Sequence, residues 1–204
     1  MKSLGSTVTT RAGRIAALLI AVLVLGGCPS TPPAPRYPEL TYGHYGVIGL
    51  DVATVEFVPL YVSPRTQPHV EHMSPVTPMA AIERWSNDRL RAMGRDGFAR
   101  VVVSNASIVE TPLKVASGVR GWFTTDQEAR YDAVMEVEIQ VRDAAGIQRA
   151  YTRARAERSR TVQEGASILS RERVLFEMVE AVTAEINAEL DRGIRQHLFR
   201  YLRP

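Results

Sequence analysis

Apolar and polar residues alternate most regularly in two neighbouring segments of the second half of the chain. Between residues 131 and 142, the odd positions from Ala133 to Val141 are apolar and the even positions are polar, except Val134. Residues 147–162 continue the alternation, with alanines on one side and arginines on the other. Because successive side chains of a strand point to opposite faces, both segments are predicted to be strands with one buried face. Residues 143–146 form their hairpin connection.

Four further elements are predicted on either side of this hairpin. Residues 47–62 favour a strand in which the apolar parity changes, which indicates a bulge. Thr77 and Pro78 are typical of a helix N-cap and first turn, and this helix is expected to end at Gly94. Residues 98–109 are rich in valine and predict a strand. Apolar residues then recur every four positions between residues 167 and 199, as expected for a long helix.

The predicted order of elements is therefore β-α-β-β-β-α. Each strand of the central hairpin has one apolar and one polar face, and each helix has one apolar stripe. Such elements bury their apolar sides by packing helices on one face of a sheet. The predicted fold class is α+β, a two-layer sandwich with a mostly antiparallel sheet and two helices on one face.

The first 28 residues have the pattern of an export signal. Lys2, Arg11 and Arg14 precede a continuous apolar run at residues 15–25. A helix of that length spans about half of a ~30 Å hydrocarbon core, so the run is too short to cross a bilayer. A basic start, a short apolar run and small residues at its end are typical of a secretory signal.

The end of this run, Leu25-Gly26-Gly27-Cys28, resembles the bacterial lipoprotein box. The resemblance implies that Cys28 is acylated and becomes the new N-terminus, and that residues 1–27 are removed. The residues after Cys28 are Pro29 and Ser30 rather than Asp, which by the same resemblance favours the periplasmic face of the outer membrane. The alternative is an ordinary signal peptide in which the cysteine has no role.

Residues 28–45 are interpreted as the acylated cysteine and a tether. Four prolines within residues 29–35 are incompatible with a helix or a central strand. They favour an extended, semi-rigid spacer. Residues 46–204 are then predicted to form a single periplasmic domain.

Charge and cysteine content bear on three possibilities: a nucleic-acid partner, a disulfide and a zinc site. The net charge of +3 comes from the three basic residues of the signal, because the remainder has 22 basic and 22 acidic residues. A balanced domain gives no indication of a nucleic-acid partner. Cys28 is the single cysteine, so the chain has no intramolecular disulfide and no thiolate cluster for zinc.

Motifs for catalysis are not found in the sequence. GxSxG, GxGxxG and GxxxxGK[ST] are all missing. His69, Glu71 and His72 form the only group with metal-like residue types, and its position between prolines favours a solvated loop. We therefore expect neither an enzyme nor a bound metal or cofactor.

Two groups of side chains are candidates for contact with a partner. Arg149, Arg153 and Arg155 share the polar face of their predicted strand, opposite Glu136 and Glu138. They either form cross-strand ion pairs or present a surface to anionic lipid or to an acidic protein. Trp122 and Phe123 either cover the core or anchor a partner.

The domain resembles the LPS-assembly lipoprotein family, LptE. The resemblance covers roughly residues 47–200 and is clearest in residues 129–146, which are followed by an Arg-rich strand and a long charged helix. It implies an accessory or scaffold role in LPS or lipid transport, together with an outer-membrane β-barrel or a transport complex. The auxiliary lipoprotein of MCE-type lipid transport systems is the second resemblance, and it implies a lipid- or ligand-binding module.

Replacing Cys28 tests the proposed anchor. Cys28→Ser has no thiol to acylate, so it is expected to incorporate no labelled palmitate and to leave the outer-membrane fraction. Ser30→Ala changes the neighbouring segment without touching the thiol and is expected to behave as wild type. Equal labelling and equal fractionation of Cys28→Ser and wild type would contradict the lipoprotein interpretation.

Overall fold

Three long antiparallel strands form the centre of the structure, a computed structural model that describes residues 37–113, 127–163 and 165–204. They are β4 (Phe98–Pro112), β5 (Gln127–Arg142) and β6 (Gln148–Gln163). β2 (Thr54–Pro59) pairs in parallel with β4, which gives a four-stranded sheet of order β2-β4-β5-β6. Both the hairpin at residues 143–146 and the alternation that predicted it are confirmed, since Ala133, Met135 and the following odd residues of β5 are buried.

Two helices cover the buried face of this sheet. They are α1 (Pro78–Arg89) and α2 (Ile168–His197). Both begin with side-chain caps, because Thr77 accepts a hydrogen bond from the amide of Ala80 and Ser167 accepts one from the amide of Ser170. α2 packs on β5 and β6, and α1 packs between α2 and β4. The predicted α+β class is confirmed. Within the described ranges, neither helix contains a stretch long and apolar enough to span a bilayer.

A second, three-stranded sheet was not predicted. It consists of β1 (Ile48–Leu50), β3 (Leu90–Ala92) and β7 (Leu202–Arg203) in the order β3-β1-β7. The prediction of one bulged strand over residues 47–62 is wrong, because the chain bends at residues 51–53 and continues as β2 in the larger sheet. The predicted helix end at Gly94 is also wrong, because α1 stops at Arg89 and the next three residues pair with β1.

Residues 37–45, assigned from the sequence to the tether, pack on the domain. Leu40 and Tyr42 are buried in the same core as the two helices. The ring of Tyr37 lies 5.1 Å from that of Phe176 on α2. The Asp88 side chain on α1 accepts a hydrogen bond from the Tyr42 amide at 2.8 Å. Residues 37–46, called the N-terminal segment below, are therefore part of the folded unit.

Small side chains allow α2 to approach the sheet closely. Ala154 and Ala156 of β6 are buried beneath the helix. Gly193 on α2 faces Thr152 on β6, and a Cβ at Gly193 would overlap the Thr152 hydroxyl. The contact therefore depends on the missing side chain of Gly193.

Substitution of Gly193 is expected to reverse the usual helix preference. Alanine in a helix is normally more favourable than glycine by about 1 kcal/mol. Here Gly193→Ala is expected to lower the free energy of unfolding by about 1–3 kcal/mol, because overpacking displaces the helix or the strand. Urea denaturation measures the effect. Thr152→Ala removes the hydroxyl, so the double variant is expected to recover most of the loss relative to Thr152→Ala alone; a purely additive pair would contradict the contact.

Candidate functional site

The three candidate arginines lie together on the exposed face of β6. Arg149, Arg153 and Arg155 each have more than half of the side chain accessible to solvent. β6 is the edge strand of the four-stranded sheet, next to β5. In the strand register Arg153 is opposite Glu138, and Arg155 is opposite Glu136. The predicted grouping on one face is confirmed.

Each of these arginines has a carboxylate partner. Arg153 donates to Glu138 through Nη2 at 2.7 Å and through Nε at 3.1 Å, and this hydrogen bond raises the arginine pKa. Arg155 Nε lies 4.0 Å from Glu136 Oε2, and the Arg155 guanidinium also pairs with Glu157. Arg149 donates from Nε to Asp143 at 2.8 Å. The face is thus an array of exposed ion pairs, which the surrounding water screens.

The remaining candidate residues lie outside the described ranges. Cys28 precedes residue 37, and Trp122 and Phe123 fall between residues 113 and 127. Their roles as lipid attachment site and partner contact stay predictions.

The loop with His69, Glu71 and His72 was predicted to be solvated, but only part of it is. His72 is exposed, but Glu71 is only 2% exposed. Tyr61 donates a hydrogen bond from its hydroxyl to Glu71 Oε1 at 2.7 Å, and the amide of Ile108 on β4 donates to Oε2 at 3.2 Å. The prediction of a solvated loop is therefore wrong for Glu71, because its carboxylate fastens the loop to the sheet.

The environment of Glu71 keeps this carboxylate ionised. Burial acts to raise its pKa, but hydrogen bonds from Ser63, Tyr61 and backbone amides outweigh burial and lower the pKa. Burial and the neighbouring Glu71 charge raise the pKa of the Tyr61 hydroxyl. A fully hydrogen-bonded, ionised carboxylate is a structural acceptor rather than a proton donor. Within the described residues, no three His, Cys, Asp or Glu side chains lie close enough together to hold a metal ion.

A second buried polar group joins the two helices. Trp85 donates from its indole nitrogen to Asn187 at 2.8 Å, and Arg89 donates from Nη2 to Asp191 at 2.7 Å. The two donors are four residues apart on α1, and their two acceptors are four residues apart in the same direction on α2. The two helices therefore run parallel. Arg89 is 2% exposed and also donates to the backbone carbonyls of Tyr45 and Gly46.

The sequence interpretation did not identify Arg89 as a buried residue. A signal was present, because Ile82, Trp85 and Arg89 share one helix face at i, i+3 and i+7. A charged residue on an apolar stripe indicates a buried partner elsewhere. That partner is Asp191, whose pKa is lowered by hydrogen bonds from Arg195 and Arg89.

Comparisons with known proteins found likenesses among solved structures. The crystal structure of the rare lipoprotein B from Shewanella oneidensis aligns with 70% of this chain and 98% of its own, at 9% identity and a TM-score of 0.32. A likeness of this extent identifies neither a fold nor a function. No family model and no curated protein sequence matches the chain.

Acidification tests the role of Glu71. Its pKa is lowered in the folded protein, so the stabilisation by the charged form is present above the ordinary value of 4.5 and is lost as the pH falls through the folded pKa. Glu71→Gln is expected to be less stable by about 1–3 kcal/mol at neutral pH, because the amide replaces two acceptor oxygens with one. Urea denaturation below pH 4.5 should show this difference shrinking; a difference independent of pH would contradict the assignment.

Proposed function

We propose that the protein is a lipid-anchored envelope lipoprotein that acts without catalysis as an accessory or scaffold in outer-membrane LPS or lipid transport. The observation that carries the proposal is Leu25-Gly26-Gly27-Cys28 directly after a short apolar run with basic residues before it. The acyl chains attach the protein to the periplasmic face of the outer membrane. Each methylene buried in the bilayer contributes about 0.8 kcal/mol, so several chains hold the protein stably.

The dense packing of the domain favours a protein that binds its partner through its surface. The inner face of the sheet and the facing stripe of α2 are filled by side chains that are at most 2% exposed, among them Met135, Val137, Leu175 and Ile186. The buried charged groups Glu71 and Arg89 are held in structural hydrogen bonds. These observations favour a rigid module that binds an envelope protein over a carrier with an internal lipid cavity.

The ion-paired face of β6 is the surface we assign to the partner. Arg149, Arg153 and Arg155 remain more than half exposed, and each carries hydrogen-bond donors beyond those used by its carboxylate. Tyr151 lies between them on the same face and is 54% exposed. A protein surface that offers several acidic and amide side chains can bind several of these arginines at once. A single anionic lipid, by contrast, must compete with Glu136 and Glu138 for them.

The alternative is a ligand-binding module of an MCE-type or ABC-type transport system. A groove of about 370 Å³ beside Glu71, lined in part by Tyr61, Val62 and Met79, is the observation that favours it. The volume lies in the range of small-molecule sites. In this case the isolated protein carries phospholipid or another small ligand.

Photo-crosslinking in native membranes distinguishes the two functions. A benzophenone amino acid replaces Tyr151 on the β6 face, and the same group replaces Phe199, 59% exposed after the end of α2, as the control. The proposal predicts a crosslink from position 151 to an outer-membrane β-barrel or transport protein, and a weaker one or none from position 199.

The same protein is then purified in detergent and its bound lipid is measured. Co-purification of the crosslinked partner, without stoichiometric phospholipid, supports the scaffold. An isolated monomer with one bound phospholipid and no crosslink at position 151 contradicts it in favour of the alternative.

A further inference from the structure

The first turn of α2 carries two apolar side chains that the domain leaves exposed. Ile168 is 75% exposed and Leu169 is 52% exposed. Each lies seven residues, two helical turns, before a buried counterpart, since Leu175 and Phe176 are at most 5% exposed. The apolar stripe of α2 therefore continues past the part of the helix that the core covers.

The N-terminal segment meets the domain at this same turn. The hydroxyl of Tyr37 donates a hydrogen bond to the carbonyl of Leu169 at 3.5 Å, and its ring packs against Phe176. The residues that follow lead into the core at Leu40 and Tyr42. The chain that connects the domain to Cys28 therefore leaves the domain beside Ile168 and Leu169.

The length of that connection limits which end of the domain can reach the anchored Cys28. Nine residue steps separate Cys28 from Tyr37. A fully extended chain covers at most about 3.6 Å per residue, so the connection can reach no farther than roughly 30 Å. The hairpin end of β6 lies beyond this reach from the end next to α2, because 16 residues at about 3.3 Å each extend over roughly 50 Å.

We propose that Ile168 and Leu169 insert into the headgroup–acyl boundary of the bilayer that holds the acyl chains of Cys28. The inference rests on the lipid anchor of the proposed function and adds a second membrane contact, made by the domain itself. Two apolar side chains next to a covalent anchor bind the interface without a long amphipathic helix, because the anchor already keeps them close to it. The contact orients the domain, with the first turn of α2 at the membrane and the β5–β6 hairpin away from it.

Ile147 provides a matched control. It is also an exposed isoleucine, 55% accessible, and it lies in the β5–β6 hairpin at the far end of β6. Ile168→Cys and Ile147→Cys are each labelled with an environment-sensitive fluorophore in the acylated protein, in which the Cys28 sulfur is blocked. The proteins are reconstituted in vesicles of phosphatidylethanolamine with phosphatidylglycerol as the minor lipid, with and without a lipid-borne quencher.

The proposal predicts a blue-shifted emission at position 168 and quenching several-fold stronger than at position 147. Equal, water-like emission at both positions in vesicle-bound protein overturns the membrane contact and leaves the anchor intact. A protein that remains in the aqueous phase overturns the anchor and, with it, this inference.

A second measurement needs no substitution at position 168. Wild-type acylated protein in vesicles with a photoactivatable phospholipid is digested, and the crosslinked peptides are identified. Crosslinks to the N-terminal peptide and to the peptide with Ile168 and Leu169, but not to the hairpin peptide with Ile147, support the proposal. Crosslinks to the N-terminal peptide alone overturn it, whereas the missing N-terminal crosslink would indicate that the anchor is wrong.

Discussion

The buried guanidinium of Arg89 connects the parts of the domain that are distant in sequence. It pairs with Asp191 on α2 and donates to the carbonyls of Tyr45 and Gly46 in the N-terminal segment. Burial of a charge costs several kcal/mol unless the charge is paired and hydrogen-bonded, and breaking such a pair costs about 3–5 kcal/mol. The arrangement of α1, α2 and the N-terminal segment therefore depends on this residue keeping all of its partners.

This constraint links the fold to the proposed function. A lipid anchor attaches a protein to the membrane, but it gives the domain no preferred orientation when the connecting chain is unstructured up to the domain. Here the N-terminal segment is packed on both helices, from Tyr37 against Phe176 to Gly46 against Arg89. The point at which the chain leaves the domain is thereby fixed. With the anchor of the proposed function, a fixed exit point would let the domain present the same surface, the ion-paired face of β6, to the proposed partner.

Regular amphipathic elements could be predicted from the sequence, and irregular ones could not. β5, β6 and α2 bury one face over much of their length, so their periods of two and 3.6 residues are visible in the residue pattern. The pairing of Arg153 with Glu138 follows from the same hairpin register. β1, β3 and β7 have two or three residues each, too few to show a period, and their pairing depends on contacts between distant parts of the chain. The partner of Arg89 could not be predicted for the same reason, since Asp191 lies 102 residues away. Cys28, Trp122 and Phe123 lie outside the described ranges, and only the sequence motif supports the first of them.

Hydrogen exchange in the N-terminal segment tests the central claim most directly. The amides of Tyr42, Tyr45 and Gly46 donate hydrogen bonds to Asp88, Tyr42 and Gly43, respectively. If the segment is locked to the helices through Arg89, these amides exchange as slowly as the core of α2, and Arg89→Met accelerates them before the rest of the domain. Exchange of these three amides at the rate of an unstructured chain, in a wild-type protein whose α2 remains protected, would contradict the account.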